Sequence, residues 1–158
     1  MKNYRNNGAV GAILDEYEKA LSELKETIAS LSEQELIQIR DTRTEDPDCV
    51  SIQTVLAHVV ASGYNYAVAV RKWSGEQLDY REKERLSSAA AYQSALDGMF
   101  AYNVQLFEDY PSIPLEEFDT SKKIHVRWGQ TYDVEQLFEH AIVHILRHRR
   151  QIERFLQQ

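Results

Sequence analysis

An all-α fold, a four-helix bundle, is what this sequence predicts, and three observations carry the prediction. Apolar residues recur at three- and four-residue steps through four separate stretches of about 20 residues, the spacing of an amphipathic helix face. The last of these, residues 134–156, contains no Gly or Pro and is dominated by Leu, Ile, Glu, Gln and Arg. Alternation of the strand kind is confined to one short run, Lys123-Ile124-His125-Val126-Arg127-Trp128.

In chain order, the first helical pattern spans 10–31 and lines up Ile13, Leu14, Tyr17, Leu21, Leu24 and Ile28. A short piece follows at 33–39, opened by Ser32-Glu33-Gln34-Glu35, whose Ser and Glu have the spacing of a capping box. Residues 41–48 form a polar loop ahead of Ser51, which caps a second long helix reaching Trp73 through Ile52, Val55, Val59, Tyr66 and Val70. Ser74-Gly75-Glu76-Gln77 and the charged stretch to Arg85 break the pattern. A third helix, 88–109, turns Tyr92, Leu96, Met99, Asn103, Leu106 and Phe107 inward, and Pro111 and Pro114 end it. The alternating run between 118 and 132 reads as an extended excursion or short hairpin closed by Gly129-Gln130. Connections of more than ten residues argue against the simplest up-down arrangement with tight turns.

The 158 residues form one domain, 1–158, long enough to enclose a core. A hydrophobic content of 43% with 27% charged residues belongs to an ordinary soluble protein. The formal charge of −7 argues against general nucleic-acid binding, which needs a concentrated basic surface. No apolar run of about 18 residues is present to span a membrane, and the N-terminus lacks the apolar core of a signal peptide. The single cysteine, Cys49, has no internal disulfide partner and reads as a loop thiol, in keeping with a cytoplasmic location.

Chemistry concentrates in the last helix. His140, His144 and His148 are four residues apart, so they stack along one side of it. Leu137, Ala141, Ile145, Ile152 and Phe155 define its buried stripe; His148 falls inside that stripe, His144 at its edge and His140 towards the rim. Burying an unpaired polar group costs roughly 1–3 kcal/mol, so an inward imidazole needs a hydrogen-bond partner or a metal. A His-x-x-x-His pair on one helix is by itself more often a hydrogen-bonded core pair than a metal site.

A third ligand has to come from another helix, and His58 is the one candidate. It lies to one side of the stripe of Ile52, Val55, Val59 and Tyr66, followed by Ser62 and Asn65 on its own side. Three protein ligands plus an open position is the arrangement of a catalytic metal, whereas structural zinc is closed by four. A ferritin-like di-iron centre is excluded, since Ile142 and Phe138 stand where Glu-x-x-His motifs would need histidine. No His-Glu-x-x-His, Gly-rich phosphate loop or Gly-x-Ser-x-Gly occurs. His125, in the extended run, reads as a surface residue.

The run His140-Ala141-Ile142-Val143-His144-Ile145-Leu146-Arg147-His148-Arg149-Arg150-Gln151-Ile152 resembles the last-helix signature of the DinB/YfiT-like superfamily. Ser51-Ile52-Gln53-Thr54-Val55-Leu56-Ala57-His58 is similar to its second-helix signature. The resemblance covers the whole chain in helix order and spacing, with specificity in these two stretches. It implies a four-helix bundle of the DinB/YfiT type with a three-histidine site for one divalent metal, zinc or nickel, on His58, His144 and His148. It also implies a homodimer. The aromatic surplus of Tyr64, Tyr66 and Trp73 would fit that, since the three cannot all face one core. The sequence departs from the family pattern at Arg150, where Gly usually follows the last ligand and its Arg, which bears on helix packing there. His140 reads either as a group orienting a ligand or as a rim histidine.

Characterised relatives include metal-dependent, thiol-using transferases and isomerases, so the resemblance implies a metal-dependent thiol transferase acting on a thiol and an electrophilic small molecule. A hydrolase would need the same site. A non-catalytic metal-binding stress or damage-response protein is the alternative, and a DNA-associated factor fits the acidic balance least. Arg147, Arg150 and Arg154 form a basic strip that either holds a carboxylated substrate or complements the helix dipole. Asn65 and Gln151 are polar groups near the three histidines, available to orient a substrate.

Overall fold

The computed structural model describes residues 3–158, and these are mostly helical. Helix α1 is Gly8–Ile28 and the short α2 is Glu33–Ile37. A 3₁₀ turn at Pro47–Cys49 leads into α3, Ile52–Trp73. After a long strap, α4 runs Ala89–Asp109; strands β1, Ile124–His125, and β2, Thr131–Tyr132, precede α5, Val134–Leu156. Among the described residues, no helix is long and apolar enough to cross a membrane.

The helix starts follow their cap residues. Ser32 and Glu35 form the capping box of α2 as expected. Ser51 opens α3 by accepting from the Thr54 amide, and Thr54 returns the bond to the Ser51 amide. Ser88 caps α4, and Asp133 with Gln136 closes a capping box on α5. The first helix starts at Gly8, two residues earlier than the periodicity suggests, and ends at Ile28, three residues earlier. Gly8 enters it at φ 61°, a conformation glycine adopts without steric cost.

The excursion between 118 and 132 is a hairpin two residue pairs long, Ile124 opposite Tyr132 and His125 opposite Thr131. Gly129 turns it at φ 90°. The side chain of His125 is exposed, as its position in the run suggests.

The apolar stripes meet as their spacing dictates. Helix α3 packs on α4 and α5, and α1 packs on α5 and α4. The core between them holds Tyr17, Leu24, Leu96, Met99 and Phe138, all fully buried. At Gly63 the α3 backbone comes so close to α4 that an added Cβ would lie 2.4 Å from Met99 Sδ. The buried Asn103 donates to the Gly63 carbonyl at 3.1 Å across this seam.

Two further details position the site. Arg71, buried near the end of α3, is held by Glu76 at 2.9 Å and Asp109 at 2.6 Å, which ties the strap's start to the end of α4. The strap is pinned again in its middle, where Asn65 and the Arg81 backbone exchange two hydrogen bonds of 2.7 and 3.0 Å. It thereby lies across one side of α3, over the helix face that carries His58.

Candidate metal centre

His144 and His148 project one turn apart from the buried stripe of α5, and His58 reaches them from α3. His144 and His148 are buried; His58 is half-buried. The three Nε2 atoms converge: His144 Nε2 is 2.9 Å from that of His58 and 3.1 Å from that of His148. Nitrogens bound at about 2.0–2.1 Å around a tetrahedral ion stand ~3.3 Å apart, so a small outward shift makes room for one. Among the described residues, this is the group of three side chains whose donor atoms come close enough together to hold an ion.

The hydrogen bonds behind the rings decide what those nitrogens are. His58 Nδ1–H faces Asp48 Oδ2 at 3.1 Å, and His148 Nδ1–H faces Gln151 Oε1 at 2.9 Å. Both acceptors place the proton on Nδ1, so the Nε2 atoms of His58 and His148 carry lone pairs aimed inward. His144 Nδ1 is buried without a hydrogen-bond partner. One Nε2–H on His144 cannot satisfy two converging lone pairs with good geometry, whereas one cation satisfies all three nitrogens. The donor set therefore fits a borderline divalent ion, and a coordinating carboxylate is absent from it.

Electrostatics points the same way. Burial, then the neighbouring imidazoles and Arg147, pushes His144 well below the usual histidine range. Burial brings His148 down to about 4 against the opposing pull of Gln151, and burial also lowers His58, with Asp48 resisting. All three are neutral near pH 7, the form that ligates.

A cavity of about 670 Å³ opens beside His58 and His144. Its walls come from α3, α5, the strap and the hairpin loop, and include Tyr66, Arg81, Arg127, Trp128, His140 and Arg147. Tyr66 sets its ring edge-on to His144 at 5.8 Å and to His140 at 5.6 Å. His140 is not a ligand: its ring stacks on Trp128 at 5.4 Å, and its Nδ1 faces the Tyr132 hydroxyl at 3.3 Å. It is a rim histidine that props the hairpin against α5.

Other candidates separate cleanly. Arg147 reaches the cavity, but Arg150 and Arg154 are not among its walls and are exposed, so the strip does not act as a unit. Gln151 is spent on His148. Asn65 lines the cavity, yet both ends of its amide are taken by the Arg81 backbone, so it anchors the strap. Trp73 donates its Nε1–H to the Lys122 carbonyl, Tyr64 lies beneath Arg81, and Tyr66 is buried. All three aromatic residues thus have partners within the chain. Cys49 sits in the 3₁₀ turn with burial raising its thiol pKa, which leaves it protonated at neutral pH.

Asp48, Arg81, Arg127 and Trp128 are the residues that periodicity did not single out. They stand in loops, where spacing carries no information about direction. Asp48 had one local signal, its place in the polar loop that delivers Ser51 to the start of α3.

A comparison with protein-family models finds no match to this chain, and a comparison with curated proteins finds none either.

Proposed function

We propose that the protein binds one divalent metal ion, zinc or nickel, through His58, His144 and His148 and uses it as a thiol transferase acting on electrophilic small molecules. The observation that carries this reading is the convergence of three Nε2 atoms whose outer nitrogens, on two of the three rings, are already committed to Asp48 and Gln151. On this reading the four long helices are a bundle of the DinB/YfiT type, and the protein is a cytoplasmic homodimer. Light scattering that finds only an 18.3 kDa monomer would end the dimer part.

When bound, such an ion supplies Lewis acidity that favours a thiolate, or a hydroxide in a hydrolase, at neutral pH. The residues do the rest. His144 and His148 are held in register by their helix, and Asp48 and Gln151 fix the tautomers of His58 and His148. Tyr66 and Trp128 wall the cavity with apolar surface beside the histidines. The transfer itself joins the thiol sulfur to an electrophilic carbon; the leaving group departs with its bonding electrons and the thiol proton passes to solvent.

The test begins with metal analysis of the purified protein and of His144→Ala. Stoichiometric metal in the former and none in the latter is expected; full retention by the variant would reject the ligand set. Turnover of an electrophile panel with several small thiols is then compared between metal-loaded protein and His148→Ala. Absence of any metal-dependent difference would leave a non-catalytic metal protein as the better reading.

A further inference from the structure

Four cations, Arg81, Lys83, Arg127 and Arg147, line the cavity beside the histidines, against one carboxylate, Glu82. The chain as a whole carries 18 Lys and Arg against 25 Asp and Glu, so the cavity reverses the sign of the protein around it. Lys83 is partly neutralised by Asp48 at 2.6 Å. The three arginines are not: among the described residues the arginine ion pairs are made by Arg5, Arg71 and Arg149.

These arginines come from three different elements, the strap, the hairpin loop and α5, and they meet at one opening. Two are held in place by aromatic faces. The Arg81 guanidinium lies 4.3 Å from the centre of the Tyr64 ring, and Arg127 lies 4.0 Å from that of Tyr80. A guanidinium stacked by its face keeps its N–H donors free at the edge, already oriented for a carboxylate or phosphate fork. Preorganisation of this kind reduces the entropy lost when an anion binds. The walls also include Ala61, Tyr66 and Trp128 beside the polar Ser62, Asn65 and Gln130, a mixed surface that suits a carbon frame with polar groups better than a bare ion.

We propose that the cavity takes a small organic molecule with at least two acidic groups, gripped by Arg81, Arg127 and Arg147, with its reactive end towards His58 and His144. This rests on the reading above that the cavity is the substrate site, and it names the substrate class that site selects.

The probe is isophthalate, a flat dicarboxylate whose 1,3-groups cannot chelate one ion. Its diamide, of the same shape without charge, and inorganic phosphate serve as comparisons. Each is titrated by calorimetry into the purified protein, with its metal and after metal removal. Isophthalate should bind saturably in both forms, with the diamide and phosphate each at least about tenfold weaker. Arg127→Gln and Arg147→Gln should each weaken isophthalate about tenfold, the loss expected for one charge-assisted contact. Arg154→Gln, an exposed cation outside the cavity, should change nothing.

Equal binding of the diamide, equal binding of phosphate, or unaltered affinity in both cavity variants would overturn the proposal. So would loss of isophthalate binding on metal removal, since the ion would then be the anion's partner. Should the protein hold no metal while isophthalate behaves as expected, the metal reading falls and this one stands.

Discussion

Replacing Asp48 tests whether the carboxylate behind His58 tunes that ring as a ligand. Its two oxygens do different work: Oδ2 accepts from His58 Nδ1–H at 3.1 Å, and Oδ1 accepts from Lys83 Nζ at 2.6 Å. Asp48→Asn keeps the volume and one acceptor oxygen but removes the charge. A charge-assisted bond is roughly twice as strong as a neutral one, so His58 loses about 1 kcal/mol of support for its Nδ1–H tautomer. That converts to about a fivefold to tenfold loss of metal affinity. Asp48→Ala removes the acceptor altogether and should cost about a hundredfold, the upper end of the range for groups that orient a ligand. Competition against a chromophoric zinc chelator at neutral pH measures both, with circular dichroism confirming that the helices persist. Affinities within twofold of the parent for both variants, alongside complete loss in His144→Ala, would refute the argument that Asp48 orients a ligand.

Two more predictions follow from packing and from burial. Gly63→Ala should destabilise the fold by about 1–3 kcal/mol, because the new Cβ meets the buried Met99 side chain; the same change should cost less in a Met99→Ala background, and chemical denaturation of the single and double variants reads the difference. In metal-free protein the depressed histidines make stability fall with acid: the folded state keeps His144 and His148 neutral while the unfolded chain protonates near pH 6.5, so the contribution is complete above about pH 6.5. It is lost progressively towards about pH 4, and a denaturation midpoint that holds constant from pH 7 to pH 5 would contradict the burial of these rings.

The parts of the molecule legible in sequence are those governed by a single period. Tyr92, Leu96, Met99, Asn103, Leu106 and Phe107 all turn inward on α4, because one helix face must be buried and the 3.6-residue repeat says which. The same repeat put His148 inside the buried stripe of α5, His144 at its edge, His140 towards the rim and His58 on a boundary; in the structure His144 is as buried as His148. Two start signals were equally readable, since Ser32 and Ser51 each satisfy amides that the first helical turn leaves free; the caps Ser88 and Asp133 emerge only in the structure. Illegible were contacts that depend on where a loop travels. Gln151 sits one turn beyond His148 and looks available to substrate, yet it is consumed by that ring. Asn65 looks equally free until the strap comes down on it. Arg147, Arg150 and Arg154 lie on one helix strip, but only the first comes within reach of the hairpin and strap that complete a cavity.

The site is consequently built from two kinds of material with different tolerance to change. Its three histidines stand on α3 and α5, whose packing against each other also forms the core, so moving one of them costs folding energy. Arg147 and Tyr66 share those helices, but Arg81, Lys83, Arg127 and Trp128 stand on the strap and on a hairpin only two residue pairs long, each tied down by a few hydrogen bonds. Substitution at Arg81, Arg127 or Trp128 removes no buried side chain, since all three are exposed, and surface changes of that kind usually stay within about 0.5 kcal/mol. The chemistry at the histidines and the choice of what reaches them are therefore separable. Exchanging the exposed tip of the hairpin should change which anions bind while leaving metal content and thermal stability in place, because none of the three histidines draws its position from that loop.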